Sequence, residues 1–420
     1  MTAATPGVHP AATPLAPVSG GVGPATVMLD PGNFVPYYVD SLCAALRALG
    51  VPVELITSPP LFEKMPRTAD YAVRSLFFPF LRGRLGAALR RRRRARQAVK
   101  VVSYPLGLLR TWHALRDAPP GVLHIQWALL PLLDRLLIGA LRRRGWRVIY
   151  TAHDPLPEPV RRVRHEQYRR LLAETDAVVV HTRQEARQIA GAYPEASGRV
   201  HVIPHGGVGF PPPSPAERAE MRHALGIDPE RPVLLLFGML KPYKGAEYLV
   251  AAMPEVLARF PRALLIIAGE PLMPIRPLGR QIVRLSLTHA VSLRPWFVPR
   301  EEVPRYLRAA DMVVAPYLDI GASGVVALAQ GHGIPVVVTR VGGLPEFVEP
   351  EACGFVVPAR SPSALAHAIC RGLADRRALA EMGRRGYHRL ARDHSWCEVA
   401  RRTLALYRGA VVADPARARV

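Results

Sequence analysis

The residues with chemistry to offer sit in loops that follow apolar runs. Gly238-Met239-Leu240-Lys241-Pro242-Tyr243-Lys244-Gly245 follows the run at 233–237 and precedes a helical stretch at 246–260. Two lysines three apart at a helix start, beside a glycine, form a point-charge clamp suited to phosphate; they also read as two solvated surface lysines. Further along, Ser323-Gly324-Val325 opens a helix with small side chains, and Gly342-Gly343-Leu344-Pro345-Glu346 follows the apolar strand at 335–339. Loops of this kind let backbone N–H groups and the positive end of a helix dipole face an anion. Two of them after consecutive strands suggest a phosphate-bearing ligand at the carboxyl edge of a parallel sheet. An ordinary strand–helix–strand unit with glycines in its turns also accounts for each one alone. In the first half, His153-Asp154 lies just past the strand at 147–151 in a proline-bounded loop. A histidine there donates to a sugar hydroxyl or phosphate, or caps the next helix; His124 and His205 are weaker candidates of the same kind. Gly32 is the single glycine of the first loop, Asp30-Pro31-Gly32-Asn33-Phe34, so no Gly-x-Gly-x-x-Gly dinucleotide fingerprint stands there.

The elements that must hold these loops alternate strand and helix. The first run covers strand 26–29, helix 37–49 and strand 51–57; after a break at 61–115 it resumes with strands at 122–126, 147–151, 177–181 and 200–203. The Gly- and Pro-rich stretch from Gly206 to 215 marks a boundary, after which strands at 233–237, 263–268, 291–293, 312–315 and 335–339 alternate with helices. Such alternation predicts an α/β chain of two parallel-sheet domains. The division expected is a tail at 1–23, a first domain at 24–207, a second at 208–395, a helix at 396–410 and a tail at 411–420.

The 420 residues carry 56 Lys and Arg against 33 Asp and Glu, a formal charge of +23, which attracts polyanions. The break at 61–115 concentrates Arg82, Arg84, Arg90, Arg91, Arg92, Arg93, Arg94, Arg96 and Lys100 among Phe77, Phe78, Phe80, Tyr104 and Trp112. A basic segment interleaved with aromatics suits an anionic membrane surface; a solvated helical face is the other reading. Nucleic acid is not expected, because no recognition motif accompanies the charge. Four scattered cysteines without a Cys-x-x-Cys pair read as thiols in a reducing compartment. No apolar run reaches the roughly 20 residues that span a bilayer, and the first two dozen residues lack the pattern of a signal peptide. The expected location is cytoplasmic, with a peripheral position on the inner face of the plasma membrane if the basic insert docks.

Taken in order, the motifs resemble the family 4 glycosyltransferases, retaining enzymes also described as glycosyl transferases group 1. The residues that carry the likeness are Phe237-Gly238 with Lys244-Gly245, Ala310-Asp311 with Pro316-Tyr317, Gly333-Ile334-Pro335, Gly342-Gly343-Leu344-Pro345-Glu346 and Ser395-Trp396. In the first half, Thr151-Ala152-His153-Asp154 and Ile203-Pro204-His205-Gly206 look like the corresponding strand ends. The resemblance implies the GT-B architecture: two facing Rossmann-like domains, with a C-terminal helix from Trp396 crossing back to the first. It implies a nucleotide sugar in the second domain and a glycan or lipid-linked acceptor in the first. Lys244 would then hold the diphosphate, and Gly238, Lys241, Ser323, Gly324, Val325, Gly343 and Glu346 would line the donor site. His153 would contact the transferred sugar as the catalytic residue, with Gly32 and Asp154 on the acceptor side. The glutamate pair usual in the family falls here on Ile320 and Leu328, as in a branch with a Ser-Gly-Val loop; Asp319 or Glu346 is a substitute carboxylate.

The implied activity is hexose transfer from a UDP- or GDP-sugar to a lipid-linked, polysaccharide or small-molecule acceptor, with retention of configuration. Charge develops on the departing diphosphate and must meet cations and oriented amides. No carboxylate nucleophile can be placed, so front-face transfer, in which the leaving phosphate takes the acceptor's proton, fits better than double displacement. No Asp-x-Asp occurs in the chain, and neither a metal nor another cofactor is expected. The alternatives are a non-catalytic GT-B protein that binds a glycan or partner, and a nucleotide-sugar epimerase.

Overall fold

The strands at 233–237, 264–268 and 312–315 in the second half are apolar at every position because both faces of their sheet are covered. In Val233–Phe237, Leu234 and Leu236 pack to one side while Val233, Leu235 and Phe237 pack to the other. Leu264–Ala268 and Met312–Ala315 divide in the same way. Continuous apolar runs of this kind belong to parallel sheets buried between helix layers. One layer includes the helices Ala246–Arg259 and Pro362–Ala374, the other Val303–Ala309 and Gly324–Gly331.

The chain is described from a computed structural model, which covers residues 23–59, 71–81, 93–153, 162–321, 323–349 and 351–410. Strands are β1 (Thr26–Asp30), β2 (Val53–Thr57), β3 (Ala72–Ser75), β4 (Val122–Ile125), β5 (Arg147–Thr151), β6 (Ala177–Val180) and β7 (Val200–Val202). They form one sheet in the order β3-β2-β1-β4-β5-β6-β7. The second sheet is built from β8 (Val233–Phe237), β9 (Leu264–Ala268), β10 (Val291–Arg294), β11 (Met312–Ala315), β12 (Val336–Thr339) and β13 (Gly354–Val357). Its order is β10-β9-β8-β11-β12-β13, and its strand pairs are parallel. These are two Rossmann-like sheets, and their strand orders reverse at β1/β4 and at β8/β11. Loops that leave neighbouring strands on either side of such a reversal diverge, which opens a crevice at the carboxyl ends.

Of the described residues, one compact unit takes those up to Val148 and those from Ala400 on; the other takes Ile149–Val399. The last helix, Trp396–Tyr407, ends in the first unit, where the Tyr407 hydroxyl lies 2.6 Å from Nδ1 of His124 on β4. The expected return of the C-terminal helix to the first sheet is therefore present.

Several elements differ from the sequence reading, among them β13 and the helix Arg276–Arg284, neither of which was expected. The break at 61–115 contains β3, which pairs with β2 in parallel register and carries Arg74 bonded to Glu54. As an exposed edge strand, Ala-Val-Arg-Ser has no apolar run to announce it. The stretch after the domain boundary forms a helix, Pro215–Ala224, fixed by a capping box between Ser214 and Glu217.

Candidate functional site

Lys244 sits at the carboxyl end of β8, in the loop that leads to the helix Ala246–Arg259. Gly245 ends the short turn Pro242–Lys244 in the left-handed region (φ +62) and serves as N-cap of that helix. A Cβ on Gly245 would run into the Pro316 carbonyl, so glycine is needed for this loop to lie against the one after β11. The close approach buries Lys244 to 5% exposure. Its ammonium donates to the Phe237 carbonyl (3.2 Å) and the Tyr317 hydroxyl (2.6 Å), and lies 4.4 Å from the Tyr317 ring centroid. Burial lowers its pKa to about 8, so the group is charged at neutral pH and anchored by one cation–π contact and two hydrogen bonds. Gly238, also left-handed (φ +95), leaves room here: a Cβ would stand 3.4 Å from the Lys244 ammonium and 3.2 Å from Val325. Lys241 is half-buried, its ammonium 5.7 Å from the Tyr243 ring.

The loop after β11 reaches the same place. Ser323 caps the helix Gly324–Gly331 by accepting from the Val326 N–H (3.4 Å). The N–H groups of Gly324 and Val325 belong to its first turn, where no intrahelical acceptor exists and the dipole favours an anion. Lys244, Gly238, Ser323, Gly324 and Val325 thus converge, as their spacing suggests. Gly343 is drawn in as well, donating to the Gly321 carbonyl at 2.9 Å.

Glu346 is differently engaged. Its two oxygens accept from the backbone N–H groups of Arg183 (2.8 Å) and Gln184 (2.9 Å), at the start of the helix Arg183–Ala192. Gly343 packs on Thr182 of the same turn, where a Cβ would strike the Thr182 methyl. Asp319, the other substitute considered for the missing pair, is exposed.

His153, two residues past β5, stands in a row of imidazoles. His181 Nδ1 lies 3.0 Å from the Ile203 carbonyl, which can only accept; His181 Nδ1 therefore carries a proton, and in a neutral ring Nε2 is an acceptor. Nε2 lies 3.2 Å from His153 Nδ1, which then donates, leaving Nε2 as the basic atom of a neutral His153. The His181 and His205 rings are 5.4 Å apart, and a Cβ on Gly324 would be 3.5 Å from His205. The row runs along the ends of β5, β6 and β7 toward the Ser323 helix start. Sequence reading placed His181 only as a strand end; the recurrence of histidine just past three successive strands was the available signal. Asp154 lies outside the described residues.

In the first unit, Gly32 is buried beside the Phe34 ring. The loop's carboxyl group belongs to Asp30, which was not singled out from sequence. Its Oδ1 accepts from the Asn33 N–H (3.0 Å), Oδ2 has no partner, and burial raises the pKa to about 7. Burial likewise raises Asp134 and Glu185 to about 7. Acids whose folded pKa exceeds the unfolded value of about 4 stabilise the fold below that value, and the contribution is lost as pH rises through 7. The contribution of these three groups to thermal stability is therefore expected to fall between about pH 4 and 7, and Asp30→Asn is expected to shift Tm at pH 7 upward relative to wild type by more than at pH 4, read in melts across the range.

Comparison with known sequences agrees with this geometry. Residues 35–206 match the family model "Glycosyl transferase 4-like domain", and residues 231–375 match "Glycosyl transferases group 1". The chain belongs to the group 1, family 4-type glycosyltransferases. A D-inositol 3-phosphate glycosyltransferase of Nocardia farcinica is 32% identical over 65% of this chain, and the match spans 64% of that relative. Among solved structures, the sucrose-phosphate synthase of Thermosynechococcus elongatus superposes with a TM-score of 0.71 at 23% identity, covering 92% of this chain and 98% of that one. Anabaena HepE in complex with UDP-glucose gives 0.72 at 17% identity, covering 92% and 99%. At these identities the two structures speak for the fold, which is GT-B.

Proposed function

We propose that this protein transfers a hexose from a UDP- or GDP-sugar to an acceptor hydroxyl with retention of configuration. The observation that carries the reading is the buried Lys244 ammonium, held beside the start of the Gly324–Gly331 helix. Departure of the nucleotide diphosphate builds negative charge where that ammonium and the first-turn N–H groups stand. Such pre-oriented donors act without reorganisation as the bond breaks. A front-face path asks the protein for little more: the leaving oxygen takes the proton of the attacking hydroxyl, and no carboxylate nucleophile is required. With this cation and helix start in place, the reading also requires no metal. His153, its Nε2 basic, would accept from a hydroxyl of the transferred sugar. Gly32 with Asp154 would face the acceptor, in a first domain that ends near Gly207. HepE's UDP-glucose supports the donor class, and the inositol phosphate named for the Nocardia relative supports a small polar acceptor.

The test is release of UDP or GDP from a panel of nucleotide sugars with and without acceptors. Release with acceptor is expected. Binding without release would favour the non-catalytic reading, and conversion of donor without acceptor the epimerase.

A lipid-linked acceptor would be met at a membrane, and the helix Arg93–Leu115 suits that. Val102, Leu106 and Leu109 form an outward stripe at 81%, 48% and 62% exposure, the reverse of an ordinary surface helix. Residues 82–147 hold sixteen Lys and Arg against two Asp. Apolar insertion between basic flanks binds anionic headgroups. Arg90, Arg91 and Arg92 of the expected contact lie outside the described residues. Replacing Arg90 to Arg94 by glutamine is expected to abolish sedimentation with anionic liposomes; unchanged sedimentation would remove the membrane from this account.

A further inference from the structure

The turn between β6 and the helix Arg183–Ala192 is held from several directions. Glu185, three residues after Thr182, accepts at Oε2 from the backbone N–H groups of His181 (2.8 Å) and Thr182 (2.9 Å). That is one half of a capping box. The next two N–H groups, of Arg183 and Gln184, go to Glu346 from the glycine loop after β12. Gly343 packs on Thr182, and the other oxygen of Glu185 faces Gly321, so two donor loops press on the turn. The backbone that carries His181 is therefore fixed in place, and the residue is 4% exposed.

Its ring is fixed as well. His181 Nδ1 donates to the Ile203 carbonyl, and the ring lies between those of His153 (5.2 Å) and His205 (5.4 Å). Turning the ring over would put carbon where each nitrogen stands and lose the Ile203 and His153 contacts together. What this anchored ring offers on its far side is one acceptor, Nε2, 3.2 Å from Nδ1 of the half-buried His153. A neutral imidazole can carry its proton on either nitrogen. One hydrogen bond of ordinary net strength shifts such a ratio by up to about tenfold. With the proton held on Nδ1, Nε2 of His153 accepts; in the other tautomer it could only donate.

We propose that His181 is a positioning residue that holds His153 in the tautomer and ring orientation needed to accept from a hydroxyl of the transferred sugar. This role rests on the glycosyltransferase reading, in which His153 meets that sugar. The control is ultimately a backbone carbonyl: Ile203 at the end of β7 sets the proton on His181, and His181 sets the proton on His153. A histidine kept only to satisfy the Ile203 carbonyl would make the same first bond, so the two roles are separated by substitutions that preserve one contact each. Asparagine places its amide nitrogen where Nδ1 stands and leaves nothing at the position of Nε2. Glutamine places its amide oxygen near the position of Nε2 and so retains an acceptor for His153.

The first measurement is the tautomer of His153 in the full chain, by NMR with nitrogen-15-labelled histidine at about pH 8, where imidazoles are neutral. The signal is identified by its loss in His153→Gln. Wild type is expected to carry the proton on Nδ1, His181→Asn to shift toward Nε2–H, and His181→Gln to keep Nδ1–H. Steady-state kinetics should follow: His181→Asn lowers kcat/KM by about 10–100-fold with UDP or GDP affinity unchanged, and His181→Gln recovers most of the loss. In a His153→Gln background, His181→Asn is expected to cost nothing further, because its effect passes through His153. Wild-type His153 protonated on Nε2 overturns the proposal, and that result needs no variant to fold. An unchanged tautomer in His181→Asn, with Asn and Gln lowering Tm and kcat/KM alike, also overturns it and leaves His181 a structural residue. A wild type that turns over no nucleotide sugar overturns the reading beneath it, whereas the tautomer measurement requires no turnover and judges the positioning by itself.

Discussion

Lys244→Met is expected to lower kcat/KM by about 10²–10³-fold, the usual cost of removing one oriented charge stabiliser. Methionine matches the length and apolar stem of the lysine, and the position is buried, so the fold has little reason to fail. The charged lysine is itself disfavoured there, as its pKa of about 8 records. Replacement removes that penalty while leaving the Phe237 carbonyl and the Tyr317 hydroxyl without their donor. These effects oppose each other, and Tm is expected to move by only a few degrees. Loss of turnover with a preserved melt separates a diphosphate-binding lysine from a structural one. Because the ammonium must be protonated, UDP or GDP affinity of the wild type should also weaken as pH rises through about 8. A Lys244→Met enzyme with wild-type kcat/KM would remove the cation from the mechanism.

The second large effect is expected at Gly342. This residue is left-handed (φ +51), and a Cβ would run into the Ile320 carbonyl oxygen and stand 2.6 Å from its carbon. Both partners are backbone, so no side chain can swing away. Gly342→Ala must part the two loops, breaking the Gly343-to-Gly321 hydrogen bond and pulling Glu346 from the Arg183 and Gln184 N–H groups. Strain and lost hydrogen bonds together are expected to lower unfolding stability by about 2–4 kcal/mol, with turnover reduced below detection. Gly226→Ala is the control. It has a similar backbone (φ +71) with nothing within 4 Å of the added carbon, and should cost only about 1 kcal/mol. Equal destabilisation of the two variants would show that φ alone, not the approach of Ile320, sets the cost.

Legibility of the molecule in its sequence follows how each part is stabilised. Five of the six strands of the second sheet could be read from the sequence, most plainly β8, β9 and β11, where burial on both faces forces unbroken apolar runs, while β13 was missed. Edge strand β3 and the helix Pro215–Ala224 could not: each is held by polar contacts, Arg74 with Glu54 and the Ser214–Glu217 capping box, which leave no periodic apolar trace. Local spacing also revealed the part of the site made within one strand–loop–helix, such as Lys244 with Gly245 or Ser323 with Gly324. What depended on distant segments was hidden. Nothing near Glu346 shows that its carboxylate caps a turn more than 160 residues away. Nothing near Glu185 shows that it meets Gly321. Thr182-x-x-Glu185 was readable as a helix start, but a capping box says nothing about where the second oxygen points.

The most direct measurement is a crystal structure of the protein with UDP or GDP bound. It should place the terminal phosphate against the Lys244 ammonium and the first-turn N–H groups of Gly324 and Val325, with the base and ribose elsewhere along the carboxyl ends of the second sheet. A nucleotide held away from Lys244, or bound without contact to the Ser323 helix start, would contradict the account.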